Sequence, residues 1–149
     1  MLKFTALFLL SLIGIFIIDQ NIKQLFLDGF RWYSDYIDLI LVYNKGVAFS
    51  MFAFLAEYLK YIQIVLLTGV TIYIFTLRDL CYAIPAGILI GAGISNVYDR
   101  FIHEGVVDMV YWHYGFDFAV FNFADVMIDF AVVIFLLLNF KPNLCNKKI

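Results

Sequence analysis

Four apolar stretches, each close to 20 residues long, constrain this chain more than any other feature in it. They run over about 4–23, 58–77, 82–101 and 123–140. Roughly 20 helical residues cross the ~30 Å hydrocarbon core of a bilayer. A span facing lipid must satisfy its backbone polar groups internally, as a helix does. The expected architecture is therefore an all-α integral membrane protein with four transmembrane helices, read as a single membrane-embedded domain over residues 1–149. Composition agrees, because 64% of the 149 residues are hydrophobic and only 15% are charged, with a mean hydropathy of +0.93. A soluble domain of this size has too little interior to hide that much apolar surface. A net charge of −2 with no basic stripe excludes nucleic acid as a partner. Lys3 and the apolar run after it imitate a secretory signal, but "DQNIKQ" follows where a small-residue cleavage site would stand. An uncleaved first span is expected.

An even number of spans puts both termini on one side. Lys3, Arg78, Lys141, Lys147 and Lys148 crowd the short flanks there, whereas Lys23, Arg31, Lys45, Lys60 and Arg100 are spread over two longer connections. The raw counts tie, and the density places both termini in the cytoplasm. The outward segments are then about 24–57 and 102–122. The first holds "WYSDYIDLILVYNKGVAF", rich in aromatic and β-branched residues with Asn-Lys-Gly as a turn signal. It reads as a small β-element in the first outward loop. Trp32, Trp112 and the tyrosines fit an interfacial belt. Cys81 and Cys145 form no CxxC and stand near no histidine pair, so both read as reduced, inert thiols. In the third span Ala83, Gly87, Gly91 and Ser95 recur every four residues, with Asp99 continuing the row. Small residues on one face let helices approach closely in lipid, and this row aims Asp99 into the bundle.

The polar residues gather at the outward ends of the spans. Asp19 and Lys23 are four apart on the first helix and read as a neutralising pair. The first loop contributes Asn44 and Gly46, the third span Asn96, Asp99 and Arg100, and the approach to the fourth span Asp108, Asn122 and Asp125. Asn122 or Asp125 suits a helix cap, and Asp117 is left to solvent. Capping uses one carboxylate, and nothing local neutralises the other. Two carboxyls brought close together share a proton, so one acts as acid and the other as base. Asp129 lies one turn below Asp125 on the same face. Residue type leaves either able to join Asp108, and depth favours Asp125, where water reaches. HExxH and GxSxG are absent, so the zinc and serine routes have no support and no metal or cofactor is expected.

In this order and spacing, "DQNIK", "NKGVAF", "GAGISNVYDR", "GVVD" and "FNFAD" resemble bacterial lipoprotein signal peptidase (signal peptidase II) across nearly the whole chain. The resemblance implies a membrane-embedded aspartic endopeptidase that cleaves diacylglyceryl-modified prolipoproteins before the lipidated cysteine. It implies Asp108 and Asp125 as catalytic residues. Asp19, Lys23, Asn44, Gly46, Asn96, Asp99, Arg100 and Asn122 are implied as substrate-binding or dyad-supporting, with Ala48, Phe49 and Ala124 also on motif positions. A monomer in the bacterial cytoplasmic membrane is expected, with the site near the outer face. Ala92 and Ser95 stand where the family usually has glycine. Asp129 is outside the family pattern, and pairing within the bundle or tuning of the dyad are both open to it. The rival readings are a magnesium-dependent lipid transferase using Asp99, Asp108 and Asp125, a proton-relay transporter subunit, and a structural four-span protein.

Overall fold

The computed structural model describes residues 1–46, 53–77, 79–141, 143 and 145. The elements in chain order are α1 (Leu2–Leu27), β1 (Ile37–Asn44), α2 (Ala56–Leu77), α3 (Ala83–Ile102), β2 (Val106–Trp112) and α4 (Phe123–Phe140). All four helices are long and apolar enough to cross a membrane. The expected boundaries hold to within a turn. Helix α1 continues past Lys23 to Leu27 and stops before Gly29, whose φ of +105° closes the helix in a conformation that costs glycine little. The expectations for Ala48, Phe49, Arg78, Lys147 and Lys148 lie outside the described residues.

Helix α3 is the centre of the bundle and packs against α1, α2 and α4. Its small-residue row faces α1. A Cβ added at Gly87 would overlap the Phe8 carbonyl oxygen, and one at Gly91 would overlap the Leu12 carbonyl oxygen. The two backbones are therefore in contact, as the four-residue repeat predicts. Phe4, Phe8, Ile74, Ala83, Ala86 and Ile90 form one buried cluster at one end of the bundle. Ile15, Ile88, Ala92, Ala124 and Ala131 form a second. Leu10, Val65 and Leu136 remain exposed, an apolar exterior suited to lipid rather than water.

The β-element differs from the expectation in where its second strand comes from. Strand β1 does lie in the first outward loop, but it pairs antiparallel with β2 of the second outward segment. Asn44 stands opposite Val106, Val42 opposite Asp108 and Ile37 opposite Trp112, with an irregularity between Leu39 and Val42. A lone strand leaves its backbone groups unpaired, and β2 supplies the partners. Side chains alternate along β2. Val107 and Met109 pack with Phe26 of α1, which turns Asp108, between them, towards the other face.

The reading of two independent thiols is also corrected. Cys81 and Cys145 are joined in a disulfide, with their Cα atoms 5.7 Å apart. Cys145, beyond the end of α4, meets Cys81, between α2 and α3, although 64 positions separate them.

Candidate active site

The site begins with a buried ammonium. Lys23 is 1% exposed, and its Nζ lies 2.6 Å from Asp19 Oδ2, 2.6 Å from Asp99 Oδ2 and 2.9 Å from Asn96 Oδ1. An ammonium has three donors, so each is used. The predicted Asp19–Lys23 pair is present and is part of a larger arrangement, because Lys23 also neutralises Asp99. Both carboxylates then organise backbone. Asp19 Oδ1 accepts from the Ala124 amide at 2.8 Å, in the first turn of α4, and its Oδ2 accepts from the Ser95 hydroxyl at 2.6 Å. A carboxylate there complements the positive end of the helix dipole. Asp99 Oδ2 accepts from the Val107 amide at 3.1 Å, which pins the start of β2. Gln20 donates to Ser95 Oγ and to Asp99 Oδ1, each at 2.8 Å.

Two asparagines carry this order to the carboxyls of interest. Asn96 Oδ1 accepts from Lys23, so its amide nitrogen must face the other way, and it donates to Asp125 Oδ1 at 2.9 Å. Asn122 caps α4 by accepting from the Asp125 amide at 2.9 Å, and Asp125 Oδ2 accepts in return from the Asn122 amide at 3.1 Å. This is a capping box, in which each residue satisfies the other's backbone donor. With its oxygen on the helix, Asn122 turns its nitrogen outward and donates to Asp108 Oδ1 at 2.7 Å and to Asn96 Oδ1 at 3.1 Å. Asn44, at the end of β1, donates to Asp108 Oδ2 at 3.0 Å. Both suggested caps are therefore real, and the same atoms hold Asp108 and Asp125 in place.

Asp108 and Asp125 line one cavity of about 500 Å³, whose walls come from α2, α3, α4, both strands and residues 118–121. Asp108 is only 2% exposed. Burial pushes its carboxyl up to about 7, the Asp125 charge adds to that rise, and the Asn44 and Asn122 donors oppose it. Asn44, Asn96 and Arg100 also line the cavity, whereas Asp19, Lys23 and Asp99 stand behind it. Asp99 therefore does not complete a three-carboxylate set with Asp108 and Asp125. Arg100 bonds to neither of those aspartates among the described residues; its guanidinium donates to the Gly46 carbonyl and to Gln63 Oε1. Gly46 in turn donates its amide to Asn44 Oδ1 at 3.0 Å. Asp117 is exposed and accepts from the Tyr111 hydroxyl at 2.7 Å.

Two contributors escaped the sequence reading. Gln63 lines the cavity and orients Arg100; the available signal was an amide standing between Ile62 and Ile64 in an apolar span. Gln20 stiffens the support, and lying beside Asp19 was its only mark.

Comparison with known proteins follows the same lines. Residues 11–141 match the family described as signal peptidase (SPase) II. The chain is 72% identical over 141 residues to a lipoprotein signal peptidase of Sulfurimonas denitrificans, covering 95% of this chain and 92% of that one. It is 59% identical over 139 residues to a lipoprotein signal peptidase of a Sulfurovum species, covering 92% and 95%. For a Helicobacter pylori lipoprotein signal peptidase the figures are 54% over 146 residues, covering 94% and 93%. A solved bacterial membrane enzyme superposes with a TM-score of 0.78 at 21% identity, covering 95% of this chain and 92% of that one. That last likeness concerns the fold alone.

Proposed function

The chain belongs to the signal peptidase II family of membrane proteases, and from that footing we propose that it is an intramembrane aspartic endopeptidase with Asp108 and Asp125 as its catalytic pair. Its substrates are prolipoproteins bearing a diacylglyceryl cysteine, cut on the amino side of that residue. The observation that carries the reading is the pair itself. Two carboxyls from separate elements face one cavity, each oriented by asparagine amides that are in turn fixed by Lys23 and by the cap of α4.

With one carboxyl protonated and the other ionised, the pair does acid and base chemistry together. The ionised group takes a proton from water as the water oxygen attacks the scissile carbonyl carbon. The protonated group donates to the carbonyl oxygen, and collapse of the tetrahedral intermediate breaks the C–N bond. The departing nitrogen takes up a proton, leaving a signal peptide ending in a carboxyl group and a lipidated cysteine with a free amine. Protons move within a coupled pair, so its apparent pKa values belong to both groups. Arg100, fixed by Gly46 and Gln63, lines the path of the substrate backbone. The substrate enters laterally between α2 and α4 with its acyl chains in the bilayer, and the enzyme acts as a monomer.

The density of basic residues supports termini in the cytoplasm and a site near the outer face.

The test is incubation of purified protein in detergent with a diacylglyceryl-modified prolipoprotein, with and without chelator, followed by mass measurement of the products. Release of the signal peptide in both conditions, abolished by Asp108→Asn and by Asp125→Asn, is the expected result. Cleavage by either variant, or a requirement for metal, overturns the reading.

A further inference from the structure

Asp129 is left unused by the catalytic proposal. It lies on α4 one turn beyond Asp125, about 6 Å further into the membrane-spanning segment. It is exposed, and among the described residues it makes no hydrogen bond or ion pair. Among the described residues it thus shows no partner for pairing within the bundle, one of the two roles open to it from sequence. A carboxyl at hydrocarbon depth without a partner is costly, and α4 could present an apolar residue there at no loss of packing. Its position supplies a reason. Asp125, Val126, Ile128 and Asp129 share the helix face that lines the cavity. Among the described residues, Gln63 is the polar side chain that α2 brings to the same cavity, where α4 brings Asp125 and Asp129. The cavity thus receives a polar group from α2 as well as from α4, with Asp129 the deeper of the two carboxyls on α4.

Resting on the peptidase reading above, we propose that Asp129 is a specificity-determining residue that reads the signal-peptide segment just inside the scissile bond and favours a hydroxyl side chain, serine or threonine, at the position facing it. A signal peptide with a cytoplasmic amino end enters the cleft from the inner side, so residues before the scissile bond reach deeper than the bond itself. A distance of about 6 Å is two residues of extended chain or four of helix. A hydroxyl both donates and accepts, which matches a carboxyl group. An aliphatic residue in its place leaves Asp129 without a partner at membrane depth, and sites built to hydrogen-bond a substrate hydroxyl discriminate against the analogue lacking it.

The test moves a single serine through the six positions before the scissile bond of an otherwise aliphatic, diacylglyceryl-modified substrate. Values of kcat/KM are compared for the unaltered enzyme, Asp129→Leu and Asp129→Asn. The unaltered enzyme is expected to prefer serine at one or two adjacent positions by roughly five- to tenfold, the scale of one hydrogen bond. Asp129→Leu should lose that preference, cleaving the serine-containing and all-aliphatic substrates with equal kcat/KM, and Asp129→Asn should keep part of it. An identical positional profile in Asp129→Leu overturns the proposal. So does an equal loss on every substrate, which would assign Asp129 to the dyad or the fold. Failure of the unaltered enzyme to cleave any substrate overturns the peptidase reading itself, and is distinct from cleavage without a positional preference, which removes only the role of Asp129.

Discussion

Lys23 has three donors and three acceptors, and that equality makes a buried ammonium tolerable. Removing it leaves two carboxylates, Asp19 and Asp99, each no more than 1% exposed, without a counter-charge. Lys23→Met should therefore lower stability by about 3–5 kcal/mol, read as a drop in Tm in detergent, although the substitution is close to isosteric. A change smaller than that for an exposed ion pair would mean that water reaches the site. Asn44 offers a finer probe, because its amide donates to Asp108 and favours the ionised carboxylate. Asn44→Ala takes that donor away, so the carboxyl holds its proton to higher pH. The proposed catalytic pair needs one proton, so activity is expected to fall as pH rises through about 7, where burial has placed Asp108. The alkaline limb of the kcat/KM profile should move to higher pH in Asn44→Ala; a limb that stays in place, or moves lower, counts against Asp108 as the titrating group.

Among the elements, α3 sets the geometry, and it does so through what its side chains lack. Gly87 and Gly91 bring the α1 backbone into contact, and only at that separation can Lys23 of α1 reach Asp99 and Asn96 of α3. Gly91→Leu should push the helices apart and cost about 1–3 kcal/mol or more, with loss of cleavage as the Lys23 contacts open. Gly14→Leu is the matched control, since a Cβ at Gly14 has nothing within 4 Å; its Tm and activity should stay near those of the unaltered protein. Equal effects at the two sites would refute close packing as the reason for the row. Strand β2 works by alternation. Val107 and Met109 are held against Phe26, and Asp108 is thereby delivered to the cavity. A slip of one residue in the β1–β2 register would reverse this.

At the scale of the molecule, one end of the bundle holds the carboxyl cavity and the other holds Cys81 and Cys145, which makes the cysteines a reporter of orientation. If that end faces the cytoplasm, a membrane-impermeant maleimide should label neither cysteine in intact cells, even after a reductant is supplied. Both should react once the membrane is permeabilised and a reductant is supplied. Labelling of intact cells would place the termini outside and reverse the direction from which substrate enters. Much of this layout was legible in the chain. Each span must be apolar in its own right, so four windows declared four helices. The helix period exposed the Ala83–Ser95 row. The motifs around Asp108 and Asp125 pointed to the residues that the fold sets around one cavity. What could not be read joins residues far apart in sequence. It includes the pairing of β1 with β2, the reach of Lys23 to Asp99 as well as Asp19, the hold of Gln63 on Arg100, and the meeting of Cys81 with Cys145. Hydrophobic period and capping are local properties, written into neighbouring residues by the geometry of one helix or strand. A hydrogen bond between distant segments leaves no such pattern, because its partners are chosen only when the helices pack and the depth, facing and separation of each side chain are settled.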